Sequence, residues 1–195
     1  GLHVLEDDCY RLGVAGASSY RALLPGLGWY VSSLSKSLTP ALRVGFAVAP
    51  RAHASTLRRA AEHGFFGLAR PLADLTEDLL LRPETLQIAA QVRAQLQLYT
   101  RVAVNILGGY DLRWGDDVPF LWLHLPDGWR AGAFTKAAAA RGVQLRSAED
   151  FALRDARVPH AVRIGINAQI ALPRFESAIA RLRDLLDNPP EGMVV

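Results

Sequence analysis

The stretch Ser32-Ser33-Leu34-Ser35-Lys36-Ser37-Leu38-Thr39-Pro40-Ala41-Leu42-Arg43 decides how this chain is read. Its lysine is one of only two in 195 residues, against twenty arginines, so arginine supplies positive charge almost everywhere else. Arginine keeps its proton in a protein, whereas a partly desolvated lysine can lose it and become a nucleophile. A neutral lysine amine condenses with an aldehyde to a Schiff base. On the turn alone two readings stay open, a solvated surface lysine and a reactive one.

Apolar runs flank the turn. Trp29-Tyr30-Val31 enters it and Arg43-Val44-Gly45-Phe46-Ala47-Val48-Ala49 leaves it, and both have the composition of buried strands. Pro40 interrupts any continuous ladder between them. A lysine between buried strands lies near low-dielectric protein, which favours the neutral amine. The serine hydroxyls and the Arg43 guanidinium suit a phosphate or carboxylate. Together these groups make an anion site with a nucleophile in it, which is what a phosphate-bearing aldehyde requires. Upstream, Leu2-His3-Val4-Leu5 reads as a buried strand running into Glu6-Asp7-Asp8 and Tyr10. Open α/β sheets bind ligands beyond the carboxyl ends of their strands, so these acids mark a site or, alternatively, a solvated strand end. A divalent metal finds no third ligand group at a suitable spacing.

Glu6-Asp7-Asp8-Cys9-Tyr10, followed by Ser33 through Phe46, resembles the fold-type I, class I/II aminotransferases, which use pyridoxal 5'-phosphate (PLP). Within that family the wording is most similar to the aminotransferase-like domains of MocR-type regulators of the GntR superfamily, and to 2-aminoadipate and kynurenine aminotransferases. The resemblance implies that Lys36 is the Schiff-base lysine and proton shuttle, and that Asp7 pairs with the pyridinium nitrogen. It implies that Tyr10 hydrogen-bonds the phenolic oxygen and that Ser33, Ser35 and Arg43 bind the phosphate. Downstream, Ala161-Val162-Arg163-Ile164-Gly165-Ile166-Asn167 resembles the small-domain strand whose arginine clamps the substrate α-carboxylate, which makes Arg163 the candidate.

The implied fold is α/β. Residues 1–83 would be the C-terminal part of the large PLP-binding domain, 84–107 a linking helix, and 108–195 a small α+β C-terminal domain. The chain opens on Gly1 and enters a strand almost at once, so Gly1 reads as a cut boundary. The family's N-terminal half carries the glycine/serine phosphate loop, the ring-stacking aromatic and an asparagine, and none of these can be placed here. The expectation is a chain that neither holds PLP tightly nor transaminates efficiently by itself.

Composition agrees with a folded protein domain: 50% hydrophobic and 21% charged residues is an ordinary globular profile. A net charge of +3 with scattered arginines argues against nucleic-acid contact by these residues. Cys9 is the only cysteine, which precludes an intrachain disulfide and suits a cytoplasmic setting; it reads as a small buried side chain. No apolar run is long enough to span a bilayer.

Periodicity gives the remaining map. Residues 51–63 read as a helix stopped by Gly64, 71–81 as a helix between Pro71 and Pro83, and 84–107 as a long helix ended by Gly108-Gly109. Residues 120–125, 143–145 and 162–167 read as strands, 130–141 as an alanine-rich helix. Residues 173–187 read as an amphipathic helix with Phe175, Ile179, Leu182, Leu185 and Leu186 inward. Gly26-Leu27-Gly28 lacks a dinucleotide fingerprint and reads as a turn. Trp114, Trp122 and Trp129 read as small-domain core.

Two functional readings follow from the resemblance. One is part of an aminotransferase, moving an amino group between an amino acid and a 2-oxo acid through Lys36, as a homodimer. The other is the effector-sensing domain of a MocR/GntR-type winged-helix regulator, with DNA bound by an N-terminal domain absent from this chain.

Overall fold

The computed structural model describes residues 1–11 and 18–190. The chain divides into two compact units, Gly1–Arg93 and Ala94–Val195.

The first unit holds a three-stranded sheet of β1 (Val4–Asp7), β2 (Gly28–Ser33) and β3 (Gly45–Val48), in that order. β1 and β2 run parallel, with Asp7 level with Val31, and β3 returns antiparallel, with Gly45 opposite Ser33. Parallel neighbours need a crossover, and the crossover includes the short helix α1 (Tyr20–Leu23). Ser19 caps α1, its side chain accepting from the Ala22 N–H at 3.2 Å. Glu6 accepts from the Tyr20 N–H at 2.6 Å, tying α1 to β1. Gly28 is required where β2 begins, because a Cβ there would lie 2.3 Å from the Tyr20 carbonyl oxygen. The Trp29 indole N–H donates to His3 Nδ1 at 3.0 Å and its ring stacks on His53. Helices α2 (Ala54–Phe65) and α3 (Arg70–Leu81) follow.

Several expectations are corrected in this unit. Gly64 does not stop its helix, which runs on to Phe65. Phe66 takes the left-handed conformation at φ 58° and donates its N–H to the Glu62 carbonyl, closing the helix there. Arg43 lies outside the strand it was read into. It adopts φ 52° and ψ 36°, ending a 3-10 turn at Pro40–Leu42 that Thr39 caps. The strands are also not buried: every residue of β3 is exposed, and Leu2 and Leu5 are 90% and 65% exposed. Their apolar composition encodes a covered sheet, and among the described residues of this unit only the four-residue α1 packs against β1 and β2.

A 25-residue helix, α4 (Pro83–Leu107), spans the boundary between the units. The second unit is a four-stranded antiparallel sheet with helices on one face. Its strands are β4 (Leu112–Trp114), β5 (Phe120–His124), β6 (Arg146–Ser147) and β7 (Ala161–Gly165), ordered β4-β5-β7-β6. Helices α5 (Ala131–Ala140) and α6 (Leu172–Asp187) complete it. Alternation on β5 and β7 sends Leu121, Leu123, Val162 and Ile164 inward, where they join Phe134, Tyr99, Leu107 and the five predicted residues of α6 in one core. Arg183 donates to the Ile106 carbonyl at 2.9 Å and to Asp187 at 2.7 Å, which satisfies an end of α4. Asp187 also accepts from the Tyr110 hydroxyl.

Here too the structure differs in places from the periodicity. The strand expected at 143–145 forms instead at Arg146–Ser147, because Val143 is drawn into the core beside the end of α5. β4 carries too short a pattern to be seen in sequence. Of the three tryptophans read as core, only Trp129 is buried; Trp122 is half-buried against Phe151 and Trp114 is exposed.

Candidate active site

Parallel pairing puts the carboxyl ends of β1 and β2 at one edge of the first sheet. Asp7 closes β1 and Tyr10 follows it; Ser33 closes β2, and Ser35 and Lys36 follow that. β3 starts at the same edge, opposite Ser33, so Arg43 two residues before it lies there as well. Six candidate residues from three separate segments are therefore gathered at one sheet end. The contact that joins the two motifs is between Lys36 and Tyr10: the amine lies over the phenol ring, 5.5 Å from its centroid. Lys36 itself is exposed, so the flanking strands do not desolvate it as the sequence suggested.

The local backbone fixes several of these groups. Asp7 accepts from the Cys9 N–H at 3.0 Å. That bond, then the Cys9 side chain, holds the Asp7 carboxyl below the ordinary carboxylate range, with slight burial opposing. Asp7 is thus kept as an anion. Burial, followed by the hydrogen bond to Asp7 and the charges of Asp7 and Asp8, pushes the Cys9 thiol up to about 11. Asp8 is buried, its N–H donates to the Val31 carbonyl at 2.9 Å, and its carboxylate forms an ion pair with Arg11 Nε at 3.0 Å. Asp8 therefore braces the turn, leaving Asp7 at the sheet edge. Ser33 Oγ accepts from the Ser35 N–H at 3.3 Å, shaping the turn ahead of Lys36. Arg43 sits in a backbone region that costs a non-glycine residue about 1 kcal/mol or more and that tends to occur at functional sites.

Arg163 lies in the second unit, on the sheet face opposite the core. Its guanidinium lies over the rings of Phe120 and Phe151, at 5.0 and 4.7 Å. It is half-buried and lines an open pocket together with Arg146, Asp150, Gln144 and Gly165.

Residues 1–182 match the family Aminotransferase class I and II. The chain belongs to that family. It is 28% identical over 188 residues to the uncharacterized HTH-type transcriptional regulator YdeF of Bacillus subtilis (strain 168), a match covering 96% of this chain and 41% of YdeF. Its fold matches LysN, the alpha-aminoadipate aminotransferase of Thermus thermophilus solved with N-(5'-phosphopyridoxyl)-L-leucine. That match has a TM-score of 0.81 at 23% identity and covers 95% of this chain and 50% of LysN. The kynurenine aminotransferase of Pyrococcus horikoshii, solved with PMP, matches with a TM-score of 0.81 at 19% identity, over 95% and 48% of the two chains. The chain thus spans about half the length of the proteins it matches, or less. It is aminotransferase-like and α/β in architecture.

Among the described residues of this aminotransferase-family chain, no group of three or more His, Cys, Asp or Glu could hold a metal, and no helix is long and apolar enough to cross a membrane. Sequence reasoning missed the surroundings of Arg163. Phe120, Phe151 and Arg146 lie 43, 12 and 17 positions from it along the chain, and only the β5-β7-β6 pairing brings strands β5 and β6 beside it. The alternation of Phe120 with buried Leu121 was the one signal that could have pointed to its face.

Proposed function

We propose that this chain is the lysine-bearing part of a PLP-dependent protein whose whole acts on an amino acid and a 2-oxo acid, with Lys36 as the cofactor's covalent anchor. The observation that carries this reading is the meeting of the Asp7–Tyr10 and Ser33–Lys36 motifs at one end of a parallel strand pair, with the Lys36 amine over Tyr10. The donor set suits the group. An anionic Asp7 can hold a proton on a pyridine nitrogen, Tyr10 can donate to a phenolic oxygen, and Ser33, Ser35 and Arg43 can bind a phosphate. When bound, PLP supplies an electron sink for charge developing at the substrate Cα. Lys36 Nζ, free of the cofactor while a substrate is bound to it, would take and return the Cα proton, and Arg163 is the residue that the family resemblance assigns to the α-carboxylate. The three-part organisation 1–83, 84–107 and 108–195 belongs to this reading, as do a homodimer and a cytoplasmic setting.

The YdeF match supports a second reading on the same site: amino-acid sensing in a regulator, with DNA bound outside these residues. In either case the test is the same. Borohydride reduction of the chain with PLP is expected to fix a phosphopyridoxyl group on Lys36 in preference to Lys136, the only other lysine. Peptide mass spectrometry reads the site. Equal labelling of the two lysines, or labelling undiminished by Asp7→Asn and Tyr10→Phe together, overturns the assignment. Amino-acid turnover by the longer protein separates enzyme from sensor.

A further inference from the structure

Phe151 is 50% exposed, so it is not placed for burial in the core. Its ring meets Trp122 edge-on, with centroids 5.4 Å apart and planes at 79°. Trp122 stands directly opposite Arg163 in the pairing of β5 with β7, and Phe120 stands opposite Gly165, diagonally from Arg163. Diagonal neighbours on one sheet face lie within reach of aromatic and long side chains. Gly165 has no side chain to hold the Phe120 ring away from Arg163. The Arg163 guanidinium carbon lies 5.0 Å from the Phe120 ring centroid and 4.7 Å from that of Phe151. The two rings arrive by different routes. Phe120 is fixed by its strand, whereas Phe151 ends a four-residue 3-10 turn, Ala148–Phe151, anchored by buried Ala148.

We propose that Phe151 is a positioning residue for Arg163: its ring orders the guanidinium before a carboxylate arrives. The proposal rests on the proposed function in one respect, that Arg163 binds a carboxylate. The face of an aromatic ring attracts a cation through the ring quadrupole. That attraction acts on the charge and consumes none of the in-plane N–H donors, which stay available for a carboxylate fork. A carboxylate partner would order the arginine equally well, but it would occupy those donors and cancel the charge. Arginine carries large rotamer freedom, and a ligand that must freeze it binds more weakly. Ordering by Phe151 removes that cost from the binding step. Phe120, rooted on a strand, supports the guanidinium from the sheet, and Phe151 adds the contact from the turn.

Nitrogen-15 relaxation of the Arg163 Nε–H group, together with calorimetric titration of the chain with 2-oxobutyrate, tests the proposal. Arg70, whose side chain is 90% exposed, serves as the mobile reference. Arg163 is expected to be ordered in the unsubstituted chain. Phe151→Leu should bring its motion close to that of Arg70 and weaken 2-oxobutyrate binding by about three- to tenfold, the worth of one immobilised side chain. Phe151→Tyr keeps the aromatic face and should keep both the order and the affinity. Arg163 as mobile as Arg70 in the unsubstituted chain, or equally ordered in Phe151→Leu, overturns the proposal. Order lost in Phe151→Tyr as well would trace it to the turn rather than the ring, and order lost without loss of affinity would sever it from binding; either result also overturns the proposal. If the unsubstituted chain does not bind 2-oxobutyrate, or Arg163→Met binds it equally well, the carboxylate role of Arg163 falls instead, and the relaxation data still report whether Phe151 orders the guanidinium.

Discussion

In the second unit Phe134, Leu121, Leu123, Leu182 and Leu185 are fully buried in one contiguous core, whereas in the first unit Leu34, Val44 and Pro50 are the only described apolar side chains that are buried. The first unit instead exposes Leu5, Phe46, Val48, Phe65 and Phe66. Both units are built from similar strands and helices, so the difference lies in what covers them. The second sheet has α5, α6 and the end of α4 over its inner face. The first has α1, four residues long, and leaves Leu5 exposed on one face and Phe46 and Val48 on the other. The candidate cofactor groups sit at the edge of this less covered sheet, where turns and caps rather than a core hold them: the Cys9 N–H on Asp7, Ser33 on the Ser35 N–H, Thr39 on the Ala41 N–H. The better-packed unit holds Arg163 by aromatic rings. Local backbone bonds can shape a site without a core, but they leave its stability low.

That contrast can be broken at its strongest point. Phe134→Ala is expected to destabilise the second unit by about 3–5 kcal/mol, the cost of deleting a fully buried aromatic, measured by denaturant unfolding with near-ultraviolet circular dichroism. A loss below about 1 kcal/mol would mean that the core is not close-packed as described.

A smaller effect tests the turn after β1. With its thiol at about 11, Cys9 holds its proton more tightly folded than unfolded, so it contributes stability below pH 9, lost as pH rises towards 11. The same protonation makes it slow to alkylate. Iodoacetamide at pH 8 should label native Cys9 about tenfold more slowly than the denatured chain, and Asp7→Asn should speed the reaction. A native rate equal to the denatured rate would show that the Asp7–Cys9 turn is not held.

The smallest effect is the one that sharpens the comparison most. Phe46→Ala on exposed β3 is expected to change stability by no more than about 0.5 kcal/mol. A cost approaching that of Phe134→Ala would mean that β3 is covered in solution, by a second copy of the chain for instance.

Much of this was legible in the sequence, for identifiable reasons. The helices at 71–81, 84–107 and 173–187 were readable because their apolar spacing, Pro71, and Gly108-Gly109 agree with one another, and all five inward residues of α6 are buried. The aminotransferase family was readable because the lysine turn and the acid–tyrosine motif are local strings. Burial in the first unit was misjudged because composition reports what a strand can bury, not what lies over it. The β6 position was misjudged because a two-residue strand is set by its partner, β7, rather than by its own pattern.

The sequence by itself determined the family and pointed to Lys36 and Asp7 as candidates, since each motif depends on residues a few positions apart. Only the tertiary structure decided which residues share a face. Pairing register placed Asp7, Ser33 and Arg43 at one sheet edge and set Arg146 opposite Arg163. Register is a long-range property, fixed by which strands meet, and no spacing along the chain encodes it directly.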